Sequence, residues 1–335
     1  MINGIVAQTQ LESSLLVISH SSAPVIRVLS TVDYTTYTSP ASLPANSPVT
    51  AAFSPSGDWF ACSNGNGAEK IYIYQTGRDA DAGNWVKLAA PATMPSLAIA
   101  CMSFSPDSQY LAVGGNITND FIIYKTSDWS VLATRDVSPG SNVRSLDFSP
   151  DGSRLVVTTQ SGYLTLYDIP GVTKVTGLPS VSLDAKSVRH SPDGTEIVSG
   201  IGSPYGSPYL KRYASGTLVA GADLPSASSF PSEDDNIQFS ANGRWLITVP
   251  AEGVRMASIY DWQSKTLAGT LPSLTGVAGL LKGLSISIDN QYVAITQSNA
   301  TTEPTLAVIR ISDAQTVFTS VVSNTNPAVA RYSPF

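Results

Sequence analysis

The side chains able to do acid–base, nucleophilic or soft-metal chemistry are few in this chain of 335 residues: two histidines, His20 and His190, and two cysteines, Cys62 and Cys101. None stands at metal-ligand spacing from another, and two cysteines are too few for a disulfide scaffold, so both are expected as small buried apolar residues. A serine nucleophile needs a base bonded to it and a third group to orient that base. Abundant serine and two unrelated histidines make no such set. Oxygen ligands are more plentiful. In Asp79-Ala80-Asp81-Ala82-Gly83-Asn84 the alternate carboxylates of Asp79 and Asp81 suit a hard cation such as calcium. An EF-hand-type loop, however, wants an oxygen ligand fifth and Gly sixth, and here Gly83 precedes Asn84. The competing reading is a hydrophilic hairpin tip, and no cofactor is expected beyond that calcium. Glu233-Asp234-Asp235 is a second acidic cluster, either a solvated loop or, through Asp234, a patch for a divalent ion or a basic partner. The Gly-rich runs NGNGAEK from Asn64 and GIGSPYGSP from Gly200 lack the strand-to-helix context that sets a phosphate on a helix N-terminus.

The elements that must hold these residues are written in a repeat. The copies read VTAAFSPSGDWFACS from Val49, IACMSFSPDSQYLAVGG from Ile99, VRSLDFSPDGSRLVVTT from Val143, AKSVRHSPDGTEIVSG from Ala185, DNIQFSANGRWLITV from Asp235 and LKGLSISIDNQYVAIT from Leu281, with AVARYSPF from Ala328 opening a seventh. The residue before the turn Ser is Phe53, Phe104, Phe148, His190, Phe239, Ile286 and Tyr332, at steps of 42 to 51 residues. That period is the length of a four-stranded propeller blade. In Ser149-Pro150-Asp151-Gly152 the Pro presets φ at the second position of a type I turn, Asp tolerates the third and Gly supplies a permissive fourth. Alternation of Val143, Ser145 and Asp147 against Arg144, Leu146 and Phe148 predicts the strand before the turn, and Arg154-Leu155-Val156-Val157 a buried strand after it. Third strands follow as IYIYQT, FIIYKT, YLTLYDI, YLKRYAS, ASIYDWQ and LAVIRIS, then a more polar fourth that runs into Pro-rich connections such as LPANSP from Leu43, APATMPS from Ala90 and DLPSASSFP from Asp223. Polar residues and flanking Pro suit an outer edge.

Leu15 to Ile18 reads as a second strand and Val25 to Val28 as a third, so the C-terminal copy is expected to pair with them and seal the ring. The expectation is all-β: a seven-bladed β-propeller of four-stranded antiparallel blades and one domain, 1–335. Its first blade is drawn from 11–44 plus 328–335, and later blades begin near 49, 99, 143, 185, 235 and 281. His190 then occupies an aromatic slot and is expected to pack with one hydrogen bond, while His20 sits in a loop. Tyr205, Tyr209 and Phe230, in or near connections on the face that carries the blade linkers, are expected either to serve a binding patch as aromatic anchors or to cover the ends of their own blades.

Composition narrows the partners. With 19 Lys and Arg against 25 Asp and Glu the net charge is −6, which speaks against a phosphate-neutralising groove and so against nucleic acid. Only 13% of residues are charged, against about 25% in ordinary soluble domains, and 47 Ser and 29 Thr supply the polar surface instead. No run of eighteen apolar residues offers a spanning helix, so no membrane insertion is expected. No basic residue precedes Arg27, so a secretory signal and its compartment are not expected either.

The repeat resembles WD-repeat-like propellers in the lax form marked by F-S-P-D-G. It departs from the strict signature: no copy has the Gly-His pair, and the Trp-Asp ending survives only as Tyr167-Asp168 and Tyr260-Asp261-Trp262. A narrower likeness, carried by HSSAPVIRVLS from His20, by YQTGRDADAGNWVKLAAPATMP from Tyr74 and within it by Trp85-Val86-Lys87-Leu88 with Pro91 and Pro95, is to the WD-repeat-like virion proteins of tailed bacteriophages. That resemblance implies a non-catalytic interaction or attachment module of a virion, made in the host cytoplasm. It would bind other virion proteins or a host-surface glycan through loops on one face, as one copy or as a homo-oligomer within an assembly. The alternatives are a propeller lactonase or hydrolase with its site at the channel mouth, which ionisable side chains converging there would favour, and a bacterial cytoplasmic scaffold.

Overall fold

The computed structural model describes residues 15–19, 25–46, 48–64, 67–79, 81–95, 98–115, 121–135, 137, 142–179, 181–182, 185–201, 210–225, 236–249, 257–271, 281–297, 306–320 and 330–334. They form seven antiparallel sheets, one for each copy of the repeat. From the innermost strand outward, blade 2 is Ala51–Phe53, Trp59–Ser63, Ile71–Gln75 and Val86–Lys87, and blade 3 is Ile99–Phe104, Tyr110–Gly115, Phe121–Lys125 and Val131–Arg135. Blade 4 is Val143–Phe148, Arg154–Thr159, Tyr163–Asp168 and Thr173–Lys174, with Val181–Ser182 resuming its outer edge. Blade 6 is Ile237–Phe239, Trp245–Thr248, Ser258–Asp261 and Thr266–Thr270, and blade 7 is Leu281–Ile286, Tyr292–Gln297, Leu306–Arg310 and Thr316–Ser320. In blade 5 the fourth strand shrinks to a single bridge, Tyr213 to Ala220, beside Ala185–His190, Glu196–Ile201 and Leu210–Ala214. Blade 1 is composite: Ala330–Tyr332 pairs with Leu15–Ser19, which pairs with Ile26–Ser30, and the bridge Leu29 to Thr36 marks its outer edge. Each innermost strand lies against those of both neighbours, all the way round the ring. The expected closure is thus seen at Leu16–Tyr332 and Ile18–Ala330, and Ser333 adds a hydroxyl that accepts the N–H of Leu15 at 2.8 Å.

The apolar core is seven slabs, each held between two blades. Leu15 and Val17 pack towards Phe60, Tyr74 and Trp85 of blade 2, while the alternate Leu16 and Ile18 pack towards Leu306 and Val308 of blade 7. Both faces of a blade are therefore buried, which is why the second and third strands read as continuous apolar runs. Cys62 and Cys101 are fully buried within such slabs, as expected of small apolar residues.

Two turn systems lock blade to blade. In the hairpin between first and second strands, Gly152 N–H closes on Ser149 O at 2.8 Å and Asp151 accepts from the Ser149 hydroxyl at 2.6 Å; the turn's fourth position has positive φ, at Gly57, Gly152, Gly194 and Gly243 but also at Ser108 and Asn290. At Gly152, Gly194 and Gly243 the Pro of the preceding blade's turn, Pro106, Pro150 and Pro192 in that order, packs over it. Where the position is not Gly, the side chain caps the preceding turn: Ser108 Oγ accepts Ser56 N–H at 2.9 Å and Asn290 Oδ1 accepts Asn242 N–H at 3.0 Å. In the second system one non-glycine residue takes a positive φ between third and fourth strands of every blade, namely Tyr34, Arg78, Trp129, Val172, Leu218, Lys265 and Ala314. Several of these side chains reach the preceding blade. Tyr34 stacks on Phe318 at 4.4 Å, Trp129 meets Trp59 edge-on at 5.3 Å, and Lys265 pairs with Glu196 at 2.9 Å.

The Pro-rich linkers are tied down by the third strand. At one register position Tyr74, Tyr124 and Tyr260 are buried and donate to linker carbonyls, those of Ser42, Thr93 and Pro225, at 3.2, 2.8 and 3.1 Å. Tyr213 holds that position in blade 5, and its buried hydroxyl has no partner.

Candidate functional site

The alternation expected of the innermost strands is broken by a bulge. In blade 4 the register shifts between Val143 and Ser145, and blades 3, 5 and 7 carry the same irregularity. Val143, Ser145, Leu146 and Phe148 are consequently all buried, and the half-buried residues are Arg144 and Asp147, three apart and not two. The residue just before each marker is the one left at the ring's inner edge: Ala52, Ser103, Asp147, Arg189, Gln238, Ser285 and Arg331.

Six of these, all but Ser285, line a single cavity of about 280 Å³ with Phe53, Met102, Phe104, His190 and Phe239. Its walls come from blades 1 to 6, so it is the mouth of the central channel on the face of the F-S-P-D-G turns. Arg189 is steadied by donating from Nη1 to Val188 O at 2.7 Å and to Ser145 Oγ at 3.3 Å, and Arg331 by donating from Nη1 to Ala330 O at 2.7 Å. Asp147 Oδ2 accepts the backbone N–H of His190 at 2.7 Å and lies 3.4 Å from His190 Nδ1. The imidazole is buried, its side chain 1% exposed, and neither ring nitrogen makes a hydrogen bond. His190 is thus the packing residue foreseen, except that its hydrogen bond is made by its main chain.

Buried polar side chains with an atom that makes no hydrogen bond concentrate around this axis. Among the described residues they are Thr50, Arg144, His190, Asn236 and Tyr332, which flank or lie on innermost strands, and Tyr213 and Trp262 further out.

The residues singled out from the sequence lie elsewhere. Asp79 and Asp81 flank the start of a one-turn 3-10 helix, Ala82–Asn84, far out on blade 2. Asp79 accepts from Asp81 N–H at 2.8 Å and from Asn84 Nδ2 at 2.8 Å, and Asp81 caps Gly83 N–H at 2.9 Å. Those bonds aim Trp85 into the core, where its Nε1 donates to Asp79 O at 3.0 Å. The loop's donors thus already occupy carboxylate oxygens that a cation would need. No group of three His, Cys, Asp or Glu side chains among the described residues is arranged to hold a metal. Tyr205, Tyr209, Phe230 and Asp234 lie outside the described residues. What the sequence reading passed over is the channel ring, whose signal was present as the single polar residue before each marker in SFSPD, DFSPD, RHSPD, QFSAN and RYSPF.

A family model, that of the anaphase-promoting complex subunit 4 WD40 domain, matches residues 102–191, the span of blades 3 and 4 and the first strand of blade 5. Among solved structures, the β-propeller domain of Cps50 (Swd1) from Myceliophteria thermophila aligns with a TM-score of 0.68 at 14% identity, over 86% of this chain and 90% of that one. No curated protein sequence matches. With the ring, the blade order and the closure, these likenesses agree on one architecture: the chain folds as a seven-bladed β-propeller, and its residues 102–191 are similar to a WD40 domain.

Proposed function

We propose that this propeller is a non-catalytic protein-interaction module. The observation that carries the reading is the blade-to-blade interlock: turn caps, positive-φ side chains and tyrosine-held linkers all serve to make a rigid ring. Recognition surfaces are characteristically loops on such a scaffold. The channel mouth, where an enzyme of this shape would place its chemistry, fits binding better than proton transfer. His190 has no hydrogen-bonded nucleophile. Cross-linking mass spectrometry on the native assembly tests the role. Cross-links from this chain to a second protein are expected, and a chain that links only to itself and runs as an isolated monomer refutes it.

The finer reading is a structural protein of a bacteriophage virion that binds other virion proteins or a host-surface glycan. Its support is the W-x-K-L strand at Trp85 to Leu88, the prolines that follow it, and the Ser- and Thr-rich, charge-poor composition. Purified particles are expected to contain the chain, and its absence from them sinks the virion assignment while leaving the interaction role standing.

A further inference from the structure

We propose that the cleft between blades 6 and 7, beside their first-to-second-strand turns, binds a neutral saccharide; the inference rests on the glycan-binding reading above and gives it a place. At the next junction round the ring, between blades 7 and 1, two aromatic rings fill the seam. Tyr34, the positive-φ residue of blade 1, stacks there on Phe318 of blade 7's outer strand at 4.4 Å. The same two positions at the junction of blades 6 and 7 are Ala314, at φ 56°, and Gly269, which pairs with Ile259 as Phe318 pairs with Val308, each beside a bulge. Ala314 has the smallest side chain of the seven positive-φ residues, and a Cβ built on Gly269 meets no atom within 4 Å. The space so left is a cleft of about 740 Å³, the size of small-molecule sites.

The lining names the ligand class. Arg244 stands against Asp289 and Asp313, and the charge of Asp313 is already met by Arg310 at 2.8 Å, so neither a strong anion nor a strong cation is favoured. Ile259 is buried and Trp245 half-buried at the floor, while Asn242, Arg244 and Gln291 are exposed at the rim. Arg244 holds its guanidinium over the Trp245 ring, 4.4 Å from the centroid, a contact that uses its π face and keeps its in-plane N–H donors. Asn242 commits its oxygen to the Ser240 hydroxyl at 2.8 Å and to Arg244 N–H at 3.0 Å, which leaves its amide donors. Asp289 Oδ1 accepts the Ser287 hydroxyl and Gln291 N–H, which leaves Oδ2 as an acceptor. A sugar hydroxyl both donates and accepts, and the C–H face of a sugar ring packs on apolar surface, so an apolar floor under a rim of mixed donors and acceptors suits it. An apolar side chain of a partner would instead strand these polar groups away from water.

The full chain is screened on an array of immobilised neutral glycans built of glucose, galactose, mannose, rhamnose and N-acetylhexosamine units, and the best of them is titrated calorimetrically in free form. Saturable binding of at least one is expected. Ala314→Tyr combined with Gly269→Phe rebuilds the stack of the next junction inside the cleft. It should abolish binding while the thermal midpoint stays or rises, a combination that misfolding cannot imitate. Arg244→Gln, at an exposed position, should weaken binding about tenfold, the loss of one charge-assisted hydrogen bond, and it decides alone if the filled variant does not fold. Saturable binding that neither change weakens overturns the cleft and leaves the glycan reading standing. No saturable binding of any glycan overturns both, and cross-links of the filled variant to a second protein then show whether the interaction role survives them.

Discussion

Tyr124 and Tyr213 stand at one register position of the third strand in blades 3 and 5, opposite Leu111 and Ile197 of their second strands. Both rings are buried in inter-blade slabs. They differ in one bond: Tyr124 donates to Thr93 O at 2.8 Å, whereas the Tyr213 hydroxyl has no partner. Replacing each by Phe removes one oxygen and changes packing little. At Tyr124 the loss is a neutral hydrogen bond of about 1 kcal/mol, and Thr93 is exposed, so its carbonyl can turn to water and no further penalty arises. At Tyr213 the oxygen removed had been desolvated without return, a burden of about 1–3 kcal/mol in mutational series, so Tyr213→Phe should be neutral or stabilising by about 1 kcal/mol. Urea denaturation of the full chain followed by far-ultraviolet circular dichroism reads both variants. At equal slope, the midpoint of Tyr124→Phe should fall and that of Tyr213→Phe should stay or rise. The same desolvation pushes the Tyr213 hydroxyl up to about 12, so its ionisation should come well above the ordinary tyrosine range in a spectrophotometric titration. A Tyr213→Phe variant as destabilised as Tyr124→Phe would refute the inference that partnership, and not ring packing, decides the cost.

Other outcomes follow from the interlocks. Leu218→Ala empties a fully packed wedge between blades 4 and 5 and should cost about 2–4 kcal/mol in denaturant titrations. Gly243→Ala puts a side chain at φ +70° with Pro192 Cβ 3.4 Å from the new atom, and a loss of about 1–2 kcal/mol is expected by the same measure. Glu196→Gln leaves Arg212 and Lys265 without their shared carboxylate across blades 5 and 6, a half-buried site; a loss of about 1–2 kcal/mol is expected, smaller in high salt. His190→Phe restores the residue found in blades 2, 3, 4 and 6 and should leave thermal stability unchanged or raised, since it removes two buried ring nitrogens that make no hydrogen bond. Hydrogen bonds from Ser149 and Ser153 lower the Asp151 carboxyl from its usual value to about 2. A depressed carboxyl contributes stability present above the unfolded value of about 4 and lost as pH falls through 2. Asp151→Asn should therefore flatten the decline of stability across that acid window.

The ring itself was legible in the sequence because its period, its turn chemistry and its apolar runs agree at every copy. Phe53, Phe104 and Phe148 each precede a Ser that starts a turn, and a turn fixes the strands on both sides. Chemistry was harder to see for a geometric reason. Strict alternation sets Arg144 and Asp147 on opposite faces, and only the bulge, which no residue type announces, brings both to half-buried positions. Arg189 and Arg331 sit at equivalent positions of copies that are not neighbours in sequence, so their meeting depends on closure. At the other extreme, Asp79 and Asp81 drew notice as spaced carboxylates, when the bonds they make set the entry angle of Trp85. A carboxylate that caps a turn and one that binds a cation share the same local pattern, and what distinguishes them is whether backbone donors already fill the oxygens.

Blade 1 has a consequence for how the molecule comes into being. The strand Ala330–Tyr332 completes a sheet begun at Leu15–Ser19, and the hydroxyl that accepts the Leu15 N–H belongs to a residue 318 positions later. During synthesis the inner edge of Leu16 to Ile18 must therefore wait, with its amides and carbonyls unpaired, until six other blades have emerged. An unpaired edge of that kind is a template for pairing with another chain. The nascent polypeptide thus carries an adhesive seam for nearly the whole of its translation, at a usual ~5–20 residues per second a delay of tens of seconds. A ribosome stalled before Tyr332 would release not a slightly shortened ring but an open arc ready to join its neighbour.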